Sequence, residues 1–255
     1  MPPKKEAAEK KVLWGRPGNT LKMGIVGLPN VGKSTTFNLL SKLSVPAENY
    51  PFCTIEPNLA KVHVHDPRFD KLVEMWKPKS KVTATLSILD IAGLVPGASK
   101  GEGLGNNFLS HIREVDGLYH VLRAFDNPEI IHTENEVDPI RDCGIISDEL
   151  RFKDMEFVEK RLEEINAKIH KQNDKAAKEE KELLEKVKLC LENSKWIRQV
   201  EWTPSEVEEL NKHLFLTSKP VVYMVNLSEE DFKVLILTYI ILKINIKYRE
   251  KRING

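Results

Sequence analysis

The eight residues Gly27-Leu-Pro-Asn-Val-Gly32-Lys33-Ser34 constrain this chain more than any other stretch, because they match G-x-x-x-x-G-K-[ST] in full. An apolar run, LKMGIV, precedes them and reads as a short strand ending at a glycine; residues 34–42 read as the start of a helix. In that setting the glycines let the backbone curl into a nest of N–H groups backed by a helix N-terminus, which is the geometry that holds phosphate oxygens. The side chain of Lys33 is expected to reach the β- and γ-phosphates and the hydroxyl of Ser34 to ligate Mg²⁺, while Asn30, Val31, Gly32 and Thr35 line the same loop. A nucleotide is the ligand that this pattern implies.

Three further segments have the chemistry such a loop requires. Asp90-Ile-Ala-Gly93 follows a strand-like run over 83–89; an acidic residue at a strand end next to a phosphate loop can hold Mg²⁺ through water, and the glycine N–H after it can sense a γ-phosphate. The glycine-rich run over 97–106 that follows reads as a switch segment. Tyr50-Pro-Phe-Cys-Thr54-Ile-Glu-Pro offers Thr54 as one hydroxyl among several that could complete the metal shell. After the strand-like run VVYMV comes Asn226-Leu227-Ser228-Glu229, where guanine-specific proteins carry Asn/Thr-Lys-x-Asp. Leu227 replaces the lysine and Glu229 the aspartate, and a longer carboxylate is misplaced for the two donors of guanine. Recognition of adenine, or of both bases, is the expectation. Asn226, Leu227 and Glu229 are its candidate residues.

Strand-like runs at 21–26, 61–65, 83–89, 118–122 and 221–225, with helices between them, point to an α/β fold: an open, mostly parallel sheet. Between Ile145 and Thr203 there is neither glycine nor proline, and apolar residues recur at three-or-four spacing, with a polar break around residues 172–175. An α-helical hairpin or coiled-coil arm, inserted before the last strand, accounts for that pattern. Half of its residues are charged, which suits a slender hairpin that serves either as a solvated structural arm or as a partner-binding one. The expected organisation is a lead-in over 1–20, a nucleotide-binding domain over 21–144 and 204–231, the helical insert over 145–203 and an atypical tail over 232–255. Three scattered cysteines, Cys53, Cys143 and Cys190, show no zinc spacing and read as buried or incidental thiols in a reducing compartment. No apolar run approaches the ~20 residues of a membrane helix, and the basic start lacks a signal-peptide core. A cytoplasmic protein with no membrane partner is expected, with a nuclear or nucleolar pool as an alternative.

The segments GLPNVGKST (27–35), PFCTIEPN (51–58), DIAGLV (90–95), KGEGLGNNFLSHIREVDGLYHVLRAF (100–125), HLFLTSKP (213–220) and NLSE (226–229), in this order, resemble the Obg-like ATPase (YchF) family of P-loop NTPases. The resemblance covers about 21–230. It implies the G-domain fold with an inserted coiled coil, and hydrolysis of ATP as well as or ahead of GTP. Asn226 and Leu227 are then at the base, with Lys33, Ser34, Thr54 and Asp90 at the phosphates and Mg²⁺. It also implies association with the ribosome, ribosomal RNA or regulatory proteins. Leu94 stands where Ras-type proteins carry the water-orienting glutamine, so intrinsic turnover should be slow. The resemblance points to His132 as a replacement catalytic group; His111 and His120 are other histidines of the region.

The chain departs from the family at two places. Pro96 stands where a lysine is usual and should stiffen the switch segment. After Asp231 the family's closing strand, its small base-contacting loop and its C-terminal TGS domain have no counterpart. Residues 232–255 carry six basic residues and one acidic one, whereas 1–231 carry 33 basic and 37 acidic, so the near-neutral total hides two unlike parts. A truncated or alternatively spliced product or a mispredicted gene model, a membrane-surface segment, and an edge strand are the three readings of that tail.

Overall fold

Central strand β1 (Leu21–Val26) is buried from Met23 onward, because it runs between two neighbours and under helices on both faces of the sheet. It pairs in parallel with β3 (Thr85–Asp90) on one side and with β4 (Gly117–Arg123) on the other. The edges are β2 (Asn58–His63), antiparallel to β3, and β5 (Val221–Asn226), parallel to β4, giving the order β2-β3-β1-β4-β5. The sheet is thus mostly parallel, as expected, and mixed at one edge. The computed structural model describes residues 14–15, 20–42, 58–93, 105–172 and 175–233. Thr54, Cys53, Pro96, the run over 97–104 and the tail beyond Lys233 lie outside them.

Four strands begin and end within two residues of the sequence expectation. The largest shift is β2, expected at 61–65, because antiparallel pairing starts it opposite Asp90, with Asn58 as that residue's partner. Helix α1 (Lys33–Ser41) follows the phosphate loop directly. Helix α2 (Pro67–Trp76) was not anticipated, although its start is written in the sequence: the Asp66 carboxylate accepts from the Arg68 N–H, and Pro67 occupies the first turn, where its missing donor costs nothing. Helix α3 (Gly105–Glu114) leads into β4.

Between β4 and β5 stand α4 (Pro139–Gln172) and α5 (Lys175–Glu192), the two limbs of a helical hairpin, then α6 (Pro204–His213). The break falls at the expected polar stretch. Helix α4, however, begins upstream of the glycine- and proline-free region: Pro139 is tolerated in the first turn, and Gly144 is carried inside a long helix whose packing outweighs its ~1 kcal/mol propensity cost. At the other end helix stops at Glu192, Ser194 takes a left-handed φ of 56°, and the chain passes through a short 3-10 turn (Ile197–Gln199) before a capping box, Thr203 with Glu206, starts α6. Helix α7 (Glu229–Lys233) follows β5.

Two apolar clusters hold these parts. One lies on the sheet, with Ile25, Phe37, Ile88, Ile112, Val121 and Leu150 among its members. The other lies within the hairpin and its base, built on Val158, Ile165, Leu184, Leu191, Leu210 and Phe215. Arg161 of α4 makes a two-pronged pair with Glu180 of α5 at 2.8 and 3.2 Å. Buried Asp154 of α4 accepts from the N–H groups of Leu216 and Thr217 and from the Thr217 hydroxyl, which fixes the short turn that feeds β5. The Lys219 ammonium then donates to the carbonyls of Val115 and Arg113 at the end of α3. Hairpin, α3 and β5 are therefore bound together at the strand end opposite the phosphate loop.

Candidate nucleotide site

The phosphate loop takes its shape from three residues with positive φ. Gly32 has φ +99°, and a Cβ there would come within 2.5 Å of the Asn226 amide nitrogen; Gly27, at φ +156°, is crowded by the carbonyl of Val121. Asn30 has φ +59°, a left-handed conformation that asparagine tolerates better than most residues. Only small side chains at 27 and 32 allow β1 to turn so sharply into α1. The Lys33 ammonium, buried in the loop, donates to the Leu28 carbonyl at 2.7 Å, which aims it back across the concave side. Thr35 is exposed on the first turn of α1, and Val31 is buried beneath the loop.

Beside this loop β3 ends at Asp90. The Ser34 hydroxyl donates to Asp90 Oδ2 at 2.8 Å, and Asp90 is wholly buried. Its second oxygen, Oδ1, has no hydrogen-bond partner among the described residues. Burial raises the Asp90 carboxyl above its ordinary range, against the hydrogen bond from Ser34 and the charge of Lys33, which lower it. A buried, half-paired carboxylate next to a serine hydroxyl suits a hard divalent cation, because a hydrated Mg²⁺ supplies water donors to one oxygen and takes the hydroxyl as a ligand. Among the described residues no group of three His, Cys, Asp or Glu could hold a metal alone. Gly93 lies close by, since a Cβ on it would sit 3.1 Å from the Lys33 ammonium.

The end of β5 closes the other flank. The Asn226 side chain donates to the Val31 carbonyl at 3.1 Å, so the residue expected at the base is tied to the phosphate loop itself. Leu227 is half-buried after it. Glu229, by contrast, is exposed on α7 and paired with Lys233 at 2.7 Å. It is not brought to Asn226 by any contact.

His132 is buried on the segment after β4. Its Nδ1 accepts from the Glu134 N–H at 3.1 Å, so Nε2 carries the proton and donates to Asp142 Oδ2 at 2.9 Å. Arg141 covers the other oxygen of Asp142. Both ring nitrogens are thus engaged, and the imidazole faces a structural pair instead of the phosphate loop. His120 is buried on β4 and stacks at a tilt on Tyr223; burial pushes its imidazole down to about 3, which keeps it neutral. His111 is half-buried on α3.

One functional neighbour was not anticipated. The Asn30 side-chain amide donates to the Ile131 carbonyl, at 3.1 Å, bringing the segment after β4 against the phosphate loop. No motif marks that contact. Its only trace in the sequence is an asparagine where the loop needs a left-handed residue.

Residues 22–227 match the family model described as "50S ribosome-binding GTPase". The chain is 56% identical over 233 residues to Obg-like ATPase 1 of Caenorhabditis elegans, covering 91% of this chain and 59% of that protein. It is 54% identical over 240 residues to Obg-like ATPase 1 of Saccharomyces cerevisiae, covering 91% of this chain and 60% of that protein. Among solved structures, the Schizosaccharomyces pombe YchF GTPase superposes with a TM-score of 0.71 at 56% identity, over 87% of this chain and 60% of the other. The chain therefore spans about 60% of the length of these relatives.

Proposed function

Because the chain belongs to the P-loop GTPase family, in its Obg-like ATPase (YchF) branch, we propose that it is a Mg²⁺-dependent nucleotide switch that hydrolyses ATP and, less efficiently, GTP. The observation that carries this reading is the juxtaposition of Lys33, Ser34 and the half-paired Asp90 at the mouth of the phosphate loop. Mg²⁺, when bound, would neutralise phosphate charge. The Ser34 hydroxyl, the Asp90 carboxylate and Thr54 are the residues that would hold it. The loop N–H groups of Asn30, Val31, Gly32 and Thr35 hold the phosphates. On the base side Asn226 and Leu227 supply one amide and an apolar contact, a pair that suits adenine at least as well as guanine. Glu229 is a bystander at rest, paired with Lys233.

Turnover is slow in this reading. Leu94 offers no hydrogen bond to water, and for His132 to act as a base it must leave Asp142 and the Glu134 N–H. The test is competition binding with Mg²⁺ present: ATP displaces a labelled analogue as well as GTP does or better, and strong selectivity for GTP overturns the adenine assignment.

The hairpin supports a second element of the proposal, docking to the ribosome, ribosomal RNA or a regulatory protein. Exposed charged side chains cover much of its outer faces, while apolar residues such as Val158, Ile165, Leu184 and Leu191 are buried in its own core. Nucleotide-dependent co-sedimentation with ribosomes that disappears when residues 148–195 are removed supports this; retention without the hairpin sinks it. A cytoplasmic location belongs to the same proposal. Among the described residues no helix is long and apolar enough to cross a membrane.

A further inference from the structure

At the end of β4, Arg123 is among the largest side chains fully removed from solvent, and among the described residues no carboxylate forms an ion pair with it. Its guanidinium instead reaches three backbone carbonyls of the segment that follows: Nε donates to Phe125 O at 3.2 Å, and the two terminal nitrogens to Ile130 O and Asn127 O at 3.1 Å each. The ring of Phe125 lies 4.6 Å from the guanidinium carbon, so one face of the cation is stacked while its edge is bonded. A planar fork with five fixed donors is the side chain that can satisfy carbonyls spread over six positions; a lysine ammonium is not. The result is a closed arch over 124–131.

This arch touches the nucleotide site at both ends. Its first residue, Ala124, donates its N–H to the carbonyl of Asn226 at 2.8 Å, the residue at the base. At its far end the carbonyl of Ile131, next to the Ile130 carbonyl held by Arg123, accepts from the side chain of Asn30. Asn30 is the non-glycine residue of the phosphate loop in the left-handed region, a conformation that needs outside support. Burial lowers the Arg123 guanidinium from its ordinary value, opposed by the charges of Asp126 and Asp142, and it remains a cation at any physiological pH.

We infer that Arg123 is a positioning residue for the phosphate loop: by gathering the carbonyls of Phe125, Asn127 and Ile130 it presents the Ile131 carbonyl to Asn30, and so holds the loop in its phosphate-binding shape. This rests on the nucleotide-binding reading above. It separates the binding shape of the loop from the chemistry of Lys33 and Ser34, because Arg123 reaches the loop through the arch, at its far end by Asn30 and at its near end by Asn226, whose side chain bonds the Val31 carbonyl.

Two variants and their combination decide the matter. Arg123→Lys keeps the charge and loses the fork; Asn30→Ala removes the amide from a half-buried loop side chain without opening the core. Each is expected to weaken ADP and ATP, measured by calorimetry with Mg²⁺, on the order of tenfold. The double variant is expected to be no weaker than Arg123→Lys alone, since both changes break one chain of contacts. A merely structural arginine would lower the melting temperature and multiply independently with Asn30→Ala, and that outcome overturns the inference, as does wild-type affinity in either single variant. Hydrogen exchange of the nucleotide-free protein gives a second readout: Arg123→Lys speeds exchange of peptides over 27–32 as well as 124–131, and unchanged exchange over 27–32 overturns it. Where Arg123→Lys fails to fold, Asn30→Ala alone decides by the same affinity criterion. Should the wild type bind no nucleotide, the nucleotide reading fails while the exchange measurement still judges the arch.

Discussion

The hydroxyl of Ser34 donates to Oδ2 of Asp90 across 2.8 Å, and the other carboxylate oxygen meets no donor among the described residues. An unsatisfied buried carboxylate oxygen costs free energy on the order of 1–3 kcal/mol, so the pair is built to gain a partner. Asp90→Ala is therefore expected to leave Mg²⁺-free nucleotide binding little changed. In contrast, it abolishes most of the affinity gained on adding Mg²⁺, read from titrations with and without the cation.

Lys33 contributes charge where Asp90 contributes metal binding. Replacing it by alanine removes the only described ammonium inside the phosphate loop and is expected to weaken ATP by at least about a hundredfold, a loss that calorimetry resolves. Retained affinity would move the phosphates elsewhere.

Gly32 tests the backbone instead of a side chain. Alanine there must adopt φ +99° and place its Cβ against the Asn226 amide, so Gly32→Ala should destabilise the protein by about 1–3 kcal/mol and lower nucleotide affinity together. Asn226→Ala in the same background relieves the clash and not the torsional strain. Melting temperature then recovers in part, and full recovery would assign the whole effect to the clash.

Asp154 imposes a pH dependence far from the nucleotide. Burial raises its carboxyl from 3.8 to about 6, despite hydrogen bonds from Leu216 and Thr217 and the charge of Arg113. A raised folded-state value means that the folded protein holds the proton more tightly than the unfolded chain. This contribution is therefore complete below about pH 4 and is lost as pH rises through 6. The stability gap between wild type and Asp154→Ala is expected to be wider at pH 4.5 than at pH 7.5, by about 2 kcal/mol, in denaturant titrations. A gap that narrows toward acid refutes the assignment.

Cys190 is buried against the hairpin, and burial pushes its thiol up to about 11. Alkylation at pH 8 should spare it in the folded protein and reach it after denaturation, as peptide mass spectrometry would record.

Most of the sheet was legible because parallel strands buried on both faces leave apolar runs that end at glycines or acidic residues, as at Val26 and Asp90. That Lys33, Ser34 and Asp90 lie together was legible for a related reason: the loop motif follows β1 and the aspartate ends its neighbour β3, so topology brings them to one edge of the sheet. The start of α4 at Pro139 and the whole of α2 were missed because glycine and proline were read as breaks, although proline in a first turn is a start. His132 and Glu229 were placed by their chemistry in the sequence; local partners, Asp142 and Lys233, hold them in other company. The Arg123 arch had no signature at all, since an arginine bonding carbonyls imposes no requirement on the identity of the residues it gathers.

The pairing of β4 with β5 also sets how this molecule reaches its native state. Leu118 and Val221 are register partners separated by roughly 100 residues, a closure whose entropic cost grows only as the logarithm of the loop but must be met before the edge strand gains anything. The hairpin of α4 and α5 forms from local contacts and returns the chain close to where it left the sheet, so it shortens that search. Slowing the hairpin's assembly, for example by breaking Arg161 from Glu180, should then delay the docking of β5 and with it the arrival of Asn226 at the phosphate loop, without altering β1, β3 or the loop itself.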